Sequence, residues 1–379
     1  MSAGRLAAVL ILIAVGLSGC WDRVEVNDLA VITLVGIDRA DEGVRLTVAV
    51  MAPKQPATGG GAGGPGRATS YVVYTDTGTT VMDAVRRIQL AVPRRLFWGH
   101  TRVLVLGRDF ARDGIRPAID FWSRHREPRL LMHVAVAEGE AGELLRARPK
   151  LEQLLSEALR ETINLRGFLR TRLRDLVIDL RTGGHPVLSL ARLDPAGDGQ
   201  QDVRIAGVAL LRGDRLAGTL SDEEATGLEW VLGEVNRAVT TVGMPGGMVS
   251  FELVRARSLI LPRIEQGRLR VQIQAEAQAK LRENTTGLDV GKEENLLRLR
   301  QELEKQITQK ITEVVRLAQK EYRTDFLRLG DAVHRFMPVL WEQRLKQDWD
   351  RQFAELPVTV TVSVPIRETG ATMKSQIRQ

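Results

Sequence analysis

Between residues 29 and 136, short runs rich in Val, Ile and Leu alternate with segments whose apolar positions recur every three or four residues. The short runs predict strands over 29–37, 45–51, 71–75, 102–106 and 131–136, because β-branched and aliphatic side chains suit a pleated, half-buried surface. A helix fits from a cap at Thr79 or Thr80 to Ala91, with Val81, Val85 and Ile88 on one face and Pro93 just past its end. Further helices fit 115–124 and 151–160. Together these elements predict an α/β or α+β N-terminal domain over residues 20–193.

Residues 194–202, DPAGDGQQD, interrupt every periodicity and predict a domain linker. Beyond it, 203–211 and 215–219 fit a hairpin that turns at Gly213 and Asp214. Ser221 with Glu224 three positions on forms a capping box, which satisfies the free amides at a helix start. These elements predict a middle α+β domain over 203–252, and a strand over 251–260 hands over to a C-terminal α+β domain at 253–370. Within 268–280, Leu269, Val271, Ile273, Ala275, Ala277 and Ala279 alternate strictly with polar residues. That is the pattern of a strand buried on one face of an antiparallel sheet. A long helix over 292–322 carries Leu296, Leu299, Leu303, Ile307, Ile311, Val314 and Ala318 as one stripe, expected to pack on the neighbouring sheet. Residues 331–353 predict a second helical part, 358–364 a closing strand and 371–379 a basic tail. The predicted fold class is α+β and multidomain, with mixed or antiparallel sheets packed with helices and a C-terminal sheet layered with a long helix.

The first twenty residues, MSAGRLAAVLILIAVGLSGC, follow a different logic. One Arg, an apolar run from Leu6 to Leu17 and small residues before a cut are the three parts of a secretory signal, predicted here as 1–19. At about 1.5 Å per residue that run is about 18 Å long as a helix, against about 30 Å of bilayer hydrocarbon. It suits a leader better than a span. The tetrad LSGC resembles a bacterial lipobox, whose Cys thiol receives a diacylglyceryl group before cleavage. Cys20 is the only cysteine in the chain, so it is the candidate lipidation site, and no internal disulfide or multi-thiolate zinc site is available.

Composition removes other classes. The net charge of +7 suggests nucleic acid, but 17 aromatic residues and evenly spread basic ones supply neither a stacking platform nor a phosphate track. The five histidines fall in no metal-ligand spacing and no HExxH frame, and no GxSxG elbow occurs. Gly59, Gly61 and Gly64 have a formal GxGxxG spacing, but the run follows a Pro-rich stretch and opens no helix, so it predicts a loop. Catalysis, metal and cofactor are therefore not expected. The densest functional candidate is PRRLFWGH, residues 93–100. Arg94, Arg95, Trp98 and His100 there suit a partner interface. They equally suit a packed corner, with aromatics in the core and arginines at a helix C-terminus.

One family unites these features. A lipobox Cys followed by WDRVEVNDLAVITLVGID, then PRRLFWGHTRVLVLG, AIDFWSRHREPRL, GVALLRGDRLAGTLSDEEATGLEWV and EYRTDFLRLGDAVHRFMPVLWEQRLKQDWD, resembles the Ger(x)C family of spore germination lipoproteins from Gly19 to about Gly370. The resemblance implies a non-enzymatic C subunit of a nutrient germinant receptor, tethered through Cys20 to the outer face of the spore inner membrane. It implies two partner subunits, an integral-membrane A subunit and a transporter-like B subunit; nucleic acid is not expected as a partner, because a chain exported by its leader does not meet the genome. A solute-binding lipoprotein of a transporter is the alternative; it requires two parallel α/β lobes closing on a ligand.

Overall fold

The computed structural model describes residues 4, 25–52, 70–165, 170–195, 201–235 and 238–368. Cys20, most of the predicted leader, the GxGxxG run and the basic tail lie outside them.

The first sheet contains β1 (Leu29–Arg39), β2 (Val44–Met51), β3 (Tyr71–Gly78), β4 (Arg95–Phe97), β5 (Val103–Leu106), β6 (His133–Ala137), β7 (Val187–Pro195), β8 (Gln201–Arg212) and β9 (Arg215–Ser221). Its order is β3-β2-β1-β5-β6-β7-β8-β9, with β4 running beside the start of β1. The central strands β1, β5, β6 and β7 are parallel, and the outer pairs are antiparallel. Every residue of β5 and β6 is buried, as expected of parallel strands covered on both faces. One cover consists of the helices Val81–Ala91, Arg108–Asp113, Arg116–Arg124 and Leu173–Thr182, whose apolar residues share a core with one set of strand side chains. The other consists of Ala141–Leu144, Leu155–Leu165 and Asp222–Leu232.

The second sheet has the order β10 (Val239–Met244), β11 (Gly247–Glu265), β12 (Arg268–Asn284), β13 (Val358–Ser363), with β14 (Ile366–Glu368) also beside β12. β12 is antiparallel to β11 and parallel to β13. Its alternate residues from Val271 to Leu281 are buried, under the helix Glu293–Arg316, whose Leu299, Leu303, Ile307, Ile311 and Val314 are buried in turn. The α+β class, the sheets packed with helices and the long helix on the C-terminal sheet are thus all present.

Several boundaries differ from the sequence expectation. Residues 194–202 do not separate two sheets: Asp194 pairs with Asp202 and Pro195 with Gln201, at the far end of the β7–β8 hairpin. Gly, Pro and Asp mark a solvated chain reversal as readily as a linker. The expected middle domain, 203–252, is divided, since β8 and β9 complete the first sheet while β10 and β11 belong to the second. The helix expected over 331–353 is broken into Leu329–Phe336, a turn at Pro338–Leu340, a π turn at Trp341–Leu345, a 3-10 turn at Lys346–Asp348 and Trp349–Glu355. Pro338, lacking an amide hydrogen, causes the first break. Leu173–Thr182 was not anticipated as a helix. Among the described residues no helix is long and apolar enough to cross a membrane.

Candidate functional site

The corner 93–100 is built by its neighbours. Thr80 caps the helix Val81–Ala91, accepting the Asp83 amide at 3.2 Å. At the other end Gln89 clamps the turn. Its Nε2 donates to the Arg94 carbonyl at 2.9 Å, and its Oε1 accepts the Leu96 amide at 3.0 Å. The clamp delivers Arg95–Phe97 to pair with Leu29–Val31. Arg95 then bonds to Glu127 at 2.5 Å, and the same carboxylate accepts the Trp98 amide at 3.4 Å.

Trp98 is 2% exposed and meets Trp122 edge-on, with ring centroids 5.1 Å apart. Phe121 packs against Trp122 at 4.8 Å. Trp98 is therefore a core residue and leaves the proposed interface set; the packed-corner account describes it. Arg94, Arg95 and His100 remain exposed on one short segment. Close by, a groove of about 1090 Å³ is lined by Val81, Met82, Phe110 and Phe121, with Asp120, Arg124 and Glu127 among its charged residues. Part of its polar rim is paired within itself, Arg39 to Asp113 at 3.3 Å and Arg124 to Asp120 at 2.9 Å, while Glu127 is held by Arg95 from outside the groove.

Two buried carboxylates escaped the sequence reading, which offers no spacing that would single them out. Asp38, 2% exposed, accepts the amides of Ala141 and Gly142 at 2.7 and 2.8 Å, pinning the end of β1 to the helix Ala141–Leu144. Burial pushes its carboxyl above the usual value. Asp325 accepts the amides of Leu329 and Gly330 at 3.0 and 2.6 Å and the Trp349 indole Nε1 at 2.9 Å. Burial lifts it to about 7 against the opposing pull of those donors. Each acid has its lone pairs occupied by backbone or indole donors and serves as a structural clasp. Among the described residues no group of three or more His, Cys, Asp or Glu is placed to hold a metal ion.

Residues 22–193 match the family described as "Spore germination protein N-terminal domain", and residues 206–370 match "Spore germination B3/ GerAC like, C-terminal". The chain belongs to the Ger(x)C family. The gap between the two Ger(x)C matches falls on the β7–β8 hairpin. The chain is similar to YfkR of Bacillus subtilis (strain 168), 28% identical over 373 residues and covering 96% of each chain. It is also similar to the spore germination protein KC of that organism, 24% identical over 395 residues, covering 96% of this chain and 95% of the relative. The crystal structure of the GerBC protein superposes with a TM-score of 0.59 at 20% identity, covering 88% of this chain and 96% of that one, so the two share a fold.

Proposed function

We propose that this Ger(x)C chain is a non-enzymatic, lipid-anchored subunit of a membrane germinant receptor, one that helps to trigger spore germination in response to nutrients. It works on the outer face of the spore inner membrane beside an integral-membrane A subunit and a transporter-like B subunit. The observation that carries the anchor is LSGC at 17–20, nine residues before the first strand begins at Leu29. Two acyl chains on one sulfur hold stably where a single chain is only marginal, at about 0.8 kcal/mol per buried methylene.

Intact mass spectrometry of the native protein is expected to find cleavage before Cys20 and a diacylglyceryl thioether on it. Cys20→Ala is expected to leave the leader uncut and the residue unlipidated. An unmodified Cys20 in the native protein would remove the anchor from this account.

The exposed part of the corner is the proposed contact with the other subunits, through Arg94, Arg95 and His100. Arg95 is tied to Glu127 in a partly exposed pair, worth about 0–1 kcal/mol to the fold, so the segment tolerates change. The double variant Arg94→Glu, Arg95→Gln is expected to fold normally and to reduce several-fold the A and B subunits recovered with the affinity-tagged chain. Undiminished recovery would place the contact elsewhere.

A further inference from the structure

At the edge of the first sheet where β1, β5 and β6 begin, arginines distant in sequence converge. The strands are parallel and in step, Leu34 beside Val103 and Val103 beside His133, so the residues just before them share one end of the molecule. There Thr101, Arg102, Arg129, His133, Arg160 and Arg172 line a cavity of about 250 Å³. That is smaller than a site for drug-sized ligands and of a size for a phosphate with its nearest substituents.

Charge in the cavity is only partly balanced. Glu157 pairs with Arg102 at 3.4 Å and with Arg160 at 2.7 Å, and Glu161 holds Arg160 at 2.5 Å. Arg129 and Arg172 have no ion pair among the described residues. Three buried polar atoms of the lining residues also lack a hydrogen-bond partner among the described residues: Thr101 Oγ1 and His133 Nδ1, in residues 3% and 5% exposed, and Arg160 Nε. An unpaired buried polar atom is costly, and each such atom calls for an explanation such as a ligand. Burial, with the positive charge of Arg172 behind it, pushes the His133 imidazole below its usual pKa, in keeping with a site that gathers positive charge.

The surroundings indicate where the anion comes from. Leu130 and Leu131, next to Arg129, are 45% and 53% exposed, and Leu131 lines the cavity. Arginines beside exposed leucines match a bilayer surface, with cations at the headgroups and aliphatic groups at the acyl boundary. The chain also enters the fold on this edge. β1 starts at Leu29, nine residues after Cys20, a tether of at most about 32 Å at about 3.6 Å per residue.

We propose that this cavity binds the phosphate of an anionic phospholipid headgroup. Arg102, Arg129 and Arg172 contact the phosphate oxygens, and Leu130 and Leu131 rest at the acyl boundary. Phosphate recognition follows from the cavity itself; the choice of a lipid over free phosphate rests on the membrane placement proposed above.

The test uses the full-length chain in a non-ionic detergent, titrated calorimetrically with short-chain phosphatidylglycerol, short-chain phosphatidylcholine and inorganic phosphate. These ligands need no anchor, so the outcome is separable from the state of Cys20. Phosphatidylglycerol is expected to bind at least tenfold more tightly than the other two. Arg129→Glu, an exposed position, is expected to lose at least tenfold in that affinity and Arg129→Gln a smaller factor, while the exposed control Arg263→Glu on the second sheet retains it. Arg129→Gln carries the test if the reversal misfolds. Equal binding of the two lipids, or wild-type affinity in the folded Arg129 variants, overturns the proposal. Inorganic phosphate binding as tightly as phosphatidylglycerol overturns it in favour of a free-anion site.

Discussion

Asp325→Ala is expected to lower the stability of this Ger(x)C chain by about 3–5 kcal/mol, the range for stripping one side of a buried network and orphaning its partners. Three donors depend on this carboxyl: the amides of Leu329 and Gly330 and the Trp349 indole. The two amides open the helix Leu329–Phe336, and the residue before it, Arg328, has a φ of 61°, a left-handed conformation that an Arg adopts at a cost. Gly330 lies so close beneath that a Cβ there would fall 2.8 Å from Trp349 Nε1 and 3.0 Å from Trp341. The acid therefore joins a turn, a helix start and the indole of Trp349 through one side chain.

The same residue sets a pH dependence whose sign is fixed. The folded pKa of about 7 lies above the unfolded value, which is about 3.9. The folded state holds the extra proton between those values. The contribution of Asp325 is fully present below the unfolded value and is lost as the pH rises through about 7, at up to about 1.4 kcal/mol per pH unit. Asp325→Asn removes the titration, although its amide group faces donors and costs stability at every pH. Urea unfolding between pH 4.5 and 8 is expected to show a stability difference between wild type and Asp325→Asn that narrows toward pH 8. A constant difference would mean that Asp325 is ionised in the folded chain throughout.

What the chain makes legible is whatever local pattern alone decides. Alternation in β12 is visible because every second residue from Val271 to Leu281 is buried and those between are partly exposed. The box at Ser221 is visible because two residues three apart complete it: Glu224 Oε2 accepts the Ser221 amide at 2.7 Å, and Ser221 Oγ accepts the Glu224 amide at 3.4 Å. The corner at 93–100 was legible as a feature but not in its orientation, since composition cannot say whether Trp98 points at a partner or at Trp122. Long-range pairing was not legible. The arginine cavity joins residues from Thr101 to Arg172 only because parallel strands bring their starts to one edge. The β7–β8 hairpin end has the composition of a linker, and only the pairing of β7 with β8 distinguishes them.

Gly227 is where the two sheets are locked, and Gly227→Val is expected to cost about 3 kcal/mol, the upper end for forcing side-chain volume into a closed contact. Gly227 lies on the helix Asp222–Leu232, where an added Cβ would fall 2.3 Å from the Lys310 carbonyl oxygen and 3.1 Å from Val314 Cβ. Both atoms it would strike belong to the helix Glu293–Arg316, so one backbone must retreat from the other. The helix of Gly227 also packs on β8 and β9 of the first sheet and on β11 and β12 of the second, so it touches both halves. A glycine inside an unobstructed helix gains about 1 kcal/mol on becoming alanine. Here Gly227→Ala is expected to lose stability instead, because the gain in helix propensity is smaller than the displacement it forces. Urea unfolding separates the cases: a stabilised Gly227→Ala would show that the helices have room between them. A destabilised Gly227→Val whose transition splits in two would show that this contact makes the halves unfold as one.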